Sequence, residues 1–509
     1  MTSAHLPAVF AVVAVASLAP ADVLALRVDT ARRFQTMDNF GASGAWVMDH
    51  VGAEWSLAAR ERVADLLFSR ERGIGLSLWR FNPGAGSLAT DQQWDPWRGV
   101  ECFQAAPNAP CDWTRQAGQQ WFLRAAKKRG VEHLLACFYS PPTWLTVNGH
   151  AHGDAQTNST NLKPGAEPRF ARFIADILEH FAHEGLAFDY VSPANEPNWA
   201  WDQYGQEGCR YSNDDLKRLL EAVHRELRRR GLRTGLEAVE AGEIVAMLDD
   251  AVYREFAGTG DPGAAHLAGN RSLGKGRYGQ YVGAFLGDPA MRRILGGRIG
   301  AHSYWTDRDP RHLRELRQAL RRNIDTYMPG GRYWQTEYCV MEHGRDLGMD
   351  TALRVARVIH YDLTAANASS WQWWLALSPH DYKDGLLFTD YRQTGEQNVL
   401  TSKTFWTLGN WSRYVRPGAW RVALEPSETE GGLLASAFIS ASGKECLAVL
   451  VNDALTELRV ALVPTAPKLR WTRYETSGAR DLARRPAVRS GHPFALPARS
   501  VTTLVAFLP

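Results

Sequence analysis

Two glutamates stand at the ends of short apolar runs and have the chemistry of a catalytic carboxylate pair. Glu196 lies in the segment SPANEP at 192–197, and Glu337 lies in YWQTEY at 333–338. Hydrolysis of a glycosidic bond needs one carboxylic acid that protonates the leaving oxygen and one carboxylate that meets the positive charge at the anomeric carbon. The amide of Asn195 could hydrogen-bond a sugar hydroxyl beside that carbon. The pair therefore favours glycoside hydrolysis, although each glutamate alone also fits an ordinary solvated loop.

The elements around these glutamates predict an α/β protein that folds as a (β/α)8 TIM barrel. Helical segments such as 169–184 and 214–230 carry apolar residues on one face, and short apolar runs typical of strands covered on both faces lie between them. Glu196 would end the fourth such strand and Glu337 the seventh, at the edge where TIM barrels carry their active sites. The eight predicted strands lie at 38–43, 74–81, 132–139, 188–195, 235–240, 298–304, 332–337 and 369–374.

The pattern changes near residue 414 to strands separated by turn residues, which predicts a β-sandwich. A strand-like segment ahead of the barrel has no partner in the barrel count, so we expect it to join this sandwich. The predicted domains are a signal peptide at 1–25, an N-terminal strand at 26–36, a catalytic barrel at 37–414 and a C-terminal β-sandwich at 415–509.

Composition fits a large enzyme with one barrel and an appendage. The chain has 509 residues, 45% of them hydrophobic, and can bury a large core. The formal net charge is only +3, and basic residues are mixed with acidic ones along the chain. Nucleic-acid binding therefore has little electrostatic support.

The N-terminus resembles an export signal. Residues 8–19 form an apolar run followed by small residues, although little positive charge precedes it. A disordered or buried tail is the alternative. Because no later segment approaches eighteen uninterrupted apolar residues, we expect a secreted protein without a membrane span.

The six cysteines are too few for a disulfide scaffold. Cys102 and Cys111 flank a loop rich in proline and alanine and could form one disulfide in an oxidising compartment, with Cys209 as an alternative partner. The sequence contains neither a Cys-x-x-Cys nor a His-Glu-x-x-His pattern. The spacing therefore predicts no metal site, and no cofactor is expected.

The chain resembles glycoside hydrolase family 30 in seven segments that occur in the same order. They are DNFGAS at 38–43, LWRFN at 78–82, SPPTWL at 140–145, SPANEP at 192–197, HSY at 302–304, WQTE at 334–337 and WQWW at 371–374. The resemblance implies a barrel with an acid on strand four and a nucleophile on strand seven. The run CFYS at 137–140 departs from it, because a more polar Asn-Ser run is expected there.

The resemblance implies catalytic roles for the two glutamates. Glu196 would be the acid/base and Glu337 the nucleophile of a retaining mechanism. Arg80 and Tyr304 would be the donors that hold the nucleophile ionised, since a nearby guanidinium favours a carboxylate. Arg80 could instead form a salt bridge that only holds the barrel together.

Further residues are expected to contact the sugar. Trp144, Trp371 and Tyr304 would present ring faces to sugar C–H surfaces. His302 would hydrogen-bond the substrate or a strand-end carboxylate, or would be a structural buried histidine. Glu240 follows the fifth strand and is a rival carboxylate, for which a solvated helix start is the alternative.

Within the family, the run QEGC at 206–209 resembles the endo-β-1,6-galactanase branch. The implied function is that of a monomeric retaining endo-glycoside hydrolase that cleaves β-1,6-galactan side chains of arabinogalactan. β-1,6-Glucan, xylan and glucosylceramide are alternative substrates for the same machinery. A carbohydrate-binding protein without catalysis is the alternative of a different class. The expected partner is a polysaccharide or oligosaccharide.

Overall fold

The structure is a computed structural model that describes residues 23–153, 159–202, 205–256, 277–464 and 469–508. Most of the predicted signal peptide at 1–25 lies outside these residues. Among the residues that are described, no helix is long and apolar enough to cross a membrane.

The described residues form two sheets. Their strands are β1 Leu24–Thr36, β2 Asn39–Ser43, β3 Leu78–Phe81, β4 His133–Cys137, β5 Tyr190–Ser192, β6 Gly235–Leu236, β7 Val239–Ala241, β8 Arg298–His302, β9 Arg332–Glu337, β10 Ala368–Ser378, β11 Gly385–Phe388, β12 Leu400–Thr401, β13 Trp420–Glu425, β14 Leu433–Ile439, β15 Glu445–Asn452, β16 Leu458–Pro464, β17 Arg470–Ser477, β18 Arg480–Arg489, β19 Phe494–Leu496 and β20 Ser500–Phe507.

The first sheet is parallel and curled. Its order is β6-β5-β4-β3-β2-β10-β9-β8-β7, with β11 and β12 extending from β10. The two outer strands, β6 and β7, are separated in the chain only by Glu237 and Ala238. The two edges of the sheet are therefore adjacent. Each predicted barrel strand overlaps a strand of this sheet, and the fifth is interrupted to give β6 and β7. This arrangement fits the predicted TIM barrel.

Helices cover the outside of this sheet because each has one apolar face. The helix Glu167–His183 buries Phe170, Ile174 and Phe181, among others. The helix Asn213–Arg230 begins after Ser212, whose hydroxyl accepts a hydrogen bond from the backbone amide of the third helical residue. The remaining helices are Val47–Glu54, Leu57–Phe68, Ser87–Thr90, Ala117–Lys128, Asp250–Tyr253, Pro289–Ile294, Leu316–Tyr327, Met349–Thr364, Tyr391–Thr394 and Lys403–Ser412, with 3-10 turns at Pro96–Arg98, Thr143–Leu145 and Ile244–Met247 and π-helical turns at Val282–Leu286 and Arg311–Glu315.

The second sheet is mixed and joins the two ends of the chain. Its order is β18-β17-β20-β15-β14-β13-β1-β16-β19. β1 pairs antiparallel with β13 and parallel with β16, so the N-terminal strand belongs to the C-terminal sheet, as its lack of a barrel partner indicated. Leu26 and Val28 are buried there with Leu450 and Trp471. The exact domain boundaries at 36/37 and 414/415 stay predictions.

The cysteines do not form the disulfide that the sequence suggested. All six are free thiols. Cys102 is buried, with its Cβ close to Gly86, whereas Cys111 is half-buried and lies within the electrostatic influence of Asp176. Cys209 is buried with its sulfur 3.7 Å from the Thr160 hydroxyl. None of these three cysteines is therefore joined to another by a disulfide.

Candidate active site

The carboxyl ends of the parallel strands bring the predicted polar residues to one edge of the curled sheet. Glu337 is the last residue of β9 and His302 the last residue of β8, while Arg80 lies within β3. Glu196 follows β5 by four residues. Parallel strands end on the same side of a sheet, so residues far apart in sequence meet in the mouth of the barrel.

The two predicted catalytic carboxylates approach each other closely. One carboxylate oxygen of Glu196, one of Glu337 and one ring nitrogen of His302 all lie within 4.8 Å of one another. Glu196 is 8% exposed and Glu337 is 4% exposed. The pair is therefore sheltered by protein but open to a ligand from one side.

Glu337 is held by two donors, as the sequence predicted. The Tyr304 hydroxyl donates to Oε1 at 2.7 Å, and Arg80 Nη1 lies 2.9 Å from Oε2. Burial raises the pKa of Glu337, whereas the positive charges of His302 and Arg80 lower it. Burial is the larger effect, so the pKa of Glu337 lies above its ordinary value although both donors favour the carboxylate form. The donors offset part of the cost of burying the carboxylate.

Arg80 connects the nucleophile candidate to the strand that precedes the acid. Its Nη2 donates to Asn195 Oδ1 at 2.8 Å, and its Nη1 donates to the carbonyl of Thr336 at 3.1 Å. The sulfur of Cys137 lies 3.0 Å from Nη2. The departure from the family pattern at 137–140 thus places a thiol against the guanidinium, beneath the two carboxylates.

His302 lies between two carboxylates. Its Nδ1 is 2.8 Å from Glu196 Oε1, and its Nε2 is 2.8 Å from Glu240 Oε2. Burial lowers the pKa of the imidazole, but the charge of Glu337 and the bonds to Glu196 and Glu240 raise it to about 10. The ring is therefore protonated at neutral pH and donates from both nitrogens.

Glu240, which the sequence offered only as a rival carboxylate, is a part of this site. It is fully buried in the middle of β7, and its Oε2 accepts from the Thr336 hydroxyl at 2.8 Å. Burial by itself raises the pKa of Glu240, but the Arg80 guanidinium and hydrogen bonds from Glu237 and His302 hold it well below the ordinary value. The solvated helix start that served as its alternative is wrong, because β7 carries this residue into the barrel.

Glu237 provides a neutral partner for that buried carboxylate. Burial and the charge of Glu240 raise the pKa of Glu237 well above its ordinary value, which favours the protonated form of this side chain. A Cβ placed at Gly300 would lie 2.0 Å from Glu237 Oε1. The glycine in β8 therefore leaves the space that the second glutamate fills.

The backbone adopts a left-handed conformation at Glu196 and at Glu240. Glu196 has φ of +44° and Glu240 has φ of +57°, a region that non-glycine residues rarely adopt. The amide of Glu196 donates to the carbonyl of Glu240 at 2.8 Å. Such strain persists only where the surrounding structure imposes it, and here it aims both carboxyl groups at His302.

A cavity of about 900 Å³ opens over the carboxylates. Residues after β5 and residues after β10 form its two sides, and these strands occupy opposite positions in the curled sheet. Its lining is rich in aromatic rings and also contains the Gln206 of the run at 206–209. The other lining residues include Trp199, Trp201, Tyr304, Trp305, Trp374, His380, Tyr382 and Asp384.

Two of the predicted sugar contacts lie elsewhere. Trp371 is fully buried, and its indole nitrogen donates to Asp362 at 2.9 Å. Trp144 is half-buried, donates to the carbonyl of Gln104 at 2.8 Å and packs against Phe173. Neither ring lines the cavity over the carboxylates, so their predicted role as sugar platforms there is wrong.

The family model of O-Glycosyl hydrolase family 30 matches residues 23–388 of the chain. Over 142 residues the chain is 28% identical to an exo-β-1,6-galactobiohydrolase of Bifidobacterium longum subsp. longum. The matched region is 26% of this chain and 9% of that protein, so the similarity spans only a small part of that relative's length.

Solved structures share the fold over nearly the whole chain. A conserved exported protein from Bacteroides fragilis superposes with a TM-score of 0.81 at 29% identity, covering 94% of this chain and 100% of that chain. The catalytic domain of the family 30 xylanase C from Talaromyces cellulolyticus gives 0.68 at 20% identity, covering 95% and 99%. An endo-β-1,6-glucanase gives 0.66 at 16% identity, covering 96% and 95%. The last two similarities show the fold alone.

The family match covers the described parts of the curled parallel sheet and all the residues that converge on the carboxylate pair. The chain belongs to glycosyl hydrolase family 30.

Proposed function

We propose that the protein is a retaining glycoside hydrolase with Glu196 as acid/base and Glu337 as nucleophile. The observation that carries this proposal is the approach of one oxygen of each carboxyl group to within 4.8 Å. Retaining glycosidases hold the two carboxyl groups about 5–5.5 Å apart, whereas inverting enzymes leave about 6.5–9.5 Å for a water molecule. The spacing favours direct attack of Glu337 on the anomeric carbon.

The neighbours of each carboxylate suit a double displacement. In the first step Glu337 forms a bond to the anomeric carbon while Glu196 gives its proton to the leaving oxygen. In the second step Glu196 takes a proton from a water molecule, whose oxygen attacks the same carbon and releases Glu337. The protonated His302, bonded through Nδ1 to Glu196 Oε1, leaves the second oxygen of Glu196 to carry the transferred proton.

We propose β-1,6-linked galactan as the substrate, attacked within the chain. The partial similarity to a β-1,6-galactobiohydrolase supports the linkage, and the position of Gln206 in the cavity lining supports a sugar contact by the 206–209 run. The cavity extends from the loop after β5 to the loop after β10, on opposite sides of the carboxylates. Sugar residues on both sides of the cleaved bond are what an endo-acting enzyme requires.

The test is hydrolysis of a panel of polymers by the purified full-length protein, with Glu337→Gln as the inactive control. The panel contains arabinogalactan with and without its arabinose branches, linear β-1,6-glucan, xylan and glucosylceramide. We expect short β-1,6-galacto-oligosaccharides whose first-formed anomer, followed by NMR, is β. Cleavage of glucan with galactan untouched would overturn the substrate but not the mechanism, whereas an α product would overturn the role of Glu337.

We further propose that the protein is exported. A structural neighbour is described as an exported protein, and the segment at 1–25 has the pattern of an export signal. Leu24 and Ala25 already pair with Val460 and Ala461 in the second sheet. Cleavage of the signal peptide near residue 21 would therefore preserve the whole of β1. N-terminal sequencing of protein recovered outside the cell checks this cleavage site.

A further inference from the structure

Three side chains outside the catalytic carboxylate cluster converge on one point. Asp91 Oδ1 lies 2.8 Å from His150 Nδ1 and 3.4 Å from His152 Nε2, and all three ligating atoms lie within 4.8 Å of one another. Asp91 comes from the loop after β3, and the two histidines come from the loop after β4. Two imidazoles and one carboxylate form a donor set that protein zinc sites use.

One of these imidazoles has its second nitrogen fixed by the backbone. His152 Nδ1 lies 2.7 Å from the carbonyl of Gly153, to which only a protonated nitrogen can donate. In the neutral ring, Nε2 then carries the lone pair and faces Asp91 Oδ1. A hydrogen bond from the other ring nitrogen to a carbonyl is the usual outer contact of a metal-bound histidine.

The carboxylate is oriented before any ligand arrives. The side chain of Asp91 is fully buried, and its second oxygen accepts from the Thr90 hydroxyl at 2.9 Å and from the backbone amide of Ala151 at 3.1 Å. These bonds leave Oδ1 directed at the two rings. A buried carboxylate aimed at two imidazoles has a strong preference for a positive charge between them.

The backbone of both histidines is also held in place. Asn161 Nδ2 donates to the carbonyl of His150 at 3.3 Å and to that of His152 at 2.7 Å. Asn148 Oδ1 accepts from the amide of His150 at 2.9 Å, and Asn148 Nδ2 donates to the carbonyl of His152 at 3.0 Å. Two asparagines therefore fix the loop that presents the rings, which is the preorganisation that a metal site needs.

We propose that Asp91, His150 and His152 bind a zinc ion. Zinc bonds of about 2.0–2.2 Å in tetrahedral geometry place neighbouring ligand atoms about 3.3–3.6 Å apart. The 3.4 Å between Asp91 Oδ1 and His152 Nε2 matches this spacing, whereas the 2.8 Å between Asp91 Oδ1 and His150 Nδ1 must lengthen by about half an ångström when the ion replaces their hydrogen bond. The side chains of His150 and His152 are 44% and 25% exposed, so the ion has a path from solvent and an open side for a water ligand.

The zinc ion would brace one wall of the catalytic cavity. The amide of Gly153 donates to the carbonyl of Trp201, and the amide of Gly208 donates to the carbonyl of Ala151, both at 2.9 Å. Trp201 and Gln206 line the cavity. The ion would thus tie the loops after β3 and β4 to the wall beside the acid, and its role is to stiffen that wall.

The test uses the full-length protein stripped with EDTA and titrated with zinc chloride by calorimetry. We expect one saturable site in the wild type, with about tenfold or more weaker binding in the double variant His150→Gln/His152→Gln. At a zinc concentration about a hundredfold above Kd, the Tm of the wild type should rise by about 2–3 °C and that of the double variant should not. Cobalt titration should give the visible absorption of a tetrahedral ion in the wild type.

Two control variants separate this site from other places where zinc can bind. His183→Gln changes an exposed histidine at the end of the helix Glu167–His183 and should leave binding unchanged. Glu337→Gln alters the other cluster of possible ligands, Glu196, His302 and Glu337, and should also leave it unchanged. Absence of saturable binding, equal affinity in the double variant, or loss of binding only in Glu337→Gln would each overturn the proposal. Circular dichroism confirms that each variant is folded.

Discussion

His302 Nε2 lies 2.8 Å from Glu240 Oε2, and both side chains are completely buried. The same imidazole contacts Glu196 through its other nitrogen at 2.8 Å. Glu240 therefore acts on the acid/base through His302, because it fixes the orientation of the ring and favours its protonated form. In the proposed mechanism Glu240 is a positioning residue.

Replacing Glu240 with glutamine should reduce kcat/KM by about tenfold to a hundredfold. This loss is a part of the rate acceleration of about 10²–10⁴-fold that general acid–base catalysis contributes. The alkaline limb of the pH–rate profile should also move to lower pH, since the neutral amide no longer raises the pKa of His302. Glu243→Gln is the matched control, because the Glu243 oxygens accept from Asn198. A wild-type pH profile in Glu240→Gln would contradict the positioning role.

His302 should also make the stability of the fold depend on pH. Its pKa is raised from 6.5 to about 10 in the folded protein, so folding favours the protonated ring. Its stabilising contribution is complete below about pH 6.5 and is lost as the pH rises through about 10. We expect the wild-type Tm to fall with rising pH across this window and the Tm of His302→Gln to fall less. Parallel Tm profiles for the two proteins would show that the ring is neutral in the fold.

The sequence was sufficient to predict the site residues whose position follows from the end of a strand. Glu337 and His302 close β9 and β8, and Arg80 and Tyr304 contact the predicted nucleophile as expected. Glu240 was named only as a rival carboxylate, because the predicted fifth strand is interrupted and a left-handed residue in its second piece turns the side chain into the barrel. Local sequence patterns carry no signal for such an interruption.

The sequence could not tell which tryptophan of the WQWW run faces the cavity. Side chains alternate along a strand, but β10 is buried on both faces, so apolar pattern alone does not fix which side is inward. In the structure Trp371 and Trp373 point one way and are buried, and the half-buried Trp374 points the other way into the cavity. Trp144 was misplaced for a similar reason, since its short turn directs the ring towards the helix Glu167–His183.

The two tryptophans of β10 should respond differently to substitution. Trp374→Ala removes a ring from the cavity lining and should raise KM several-fold with a small change in Tm. Trp371→Phe leaves the cavity unchanged but removes the donor to Asp362, which should cost about 1–3 kcal/mol of stability with KM unaltered. Steady-state kinetics and thermal unfolding of both variants check this. A rise in KM for Trp371→Phe with unchanged Tm would restore the role expected from the sequence.

The two glutamates proposed as catalytic should give distinct kinetic signatures when each is replaced. Glu337→Gln should abolish turnover of every substrate, because no nucleophile remains. Glu196→Ala should keep some activity on aryl glycosides whose leaving group needs no proton, and azide should accelerate it by replacing the missing base with a small nucleophile. Both are measured by release of the aryl group. Identical behaviour of the two variants, with no azide effect on either, would contradict the assigned roles.

Gly208 should be intolerant of a side chain because the ring of Trp201 occupies the space beside it. A Cβ at this position would lie 2.2 Å from a ring carbon of Trp201, whose indole nitrogen donates to the carbonyl of Glu196 at 3.0 Å. Gly208→Ala must therefore displace the ring from the cavity wall, at a cost of about 1–3 kcal/mol for overpacking, and release the backbone that holds Glu196 in its left-handed conformation.

We expect this variant to have a lower Tm and a kcat/KM reduced at least several-fold, because both the sugar platform and the acid lose their positions. Gly478→Ala is the matched control, since no described atom lies within 4 Å of a Cβ placed there, and it should match the wild type in both measurements. If Gly208→Ala lowered Tm without changing kcat/KM, Trp201 would be a packing residue of the loop rather than a part of the sugar-binding wall.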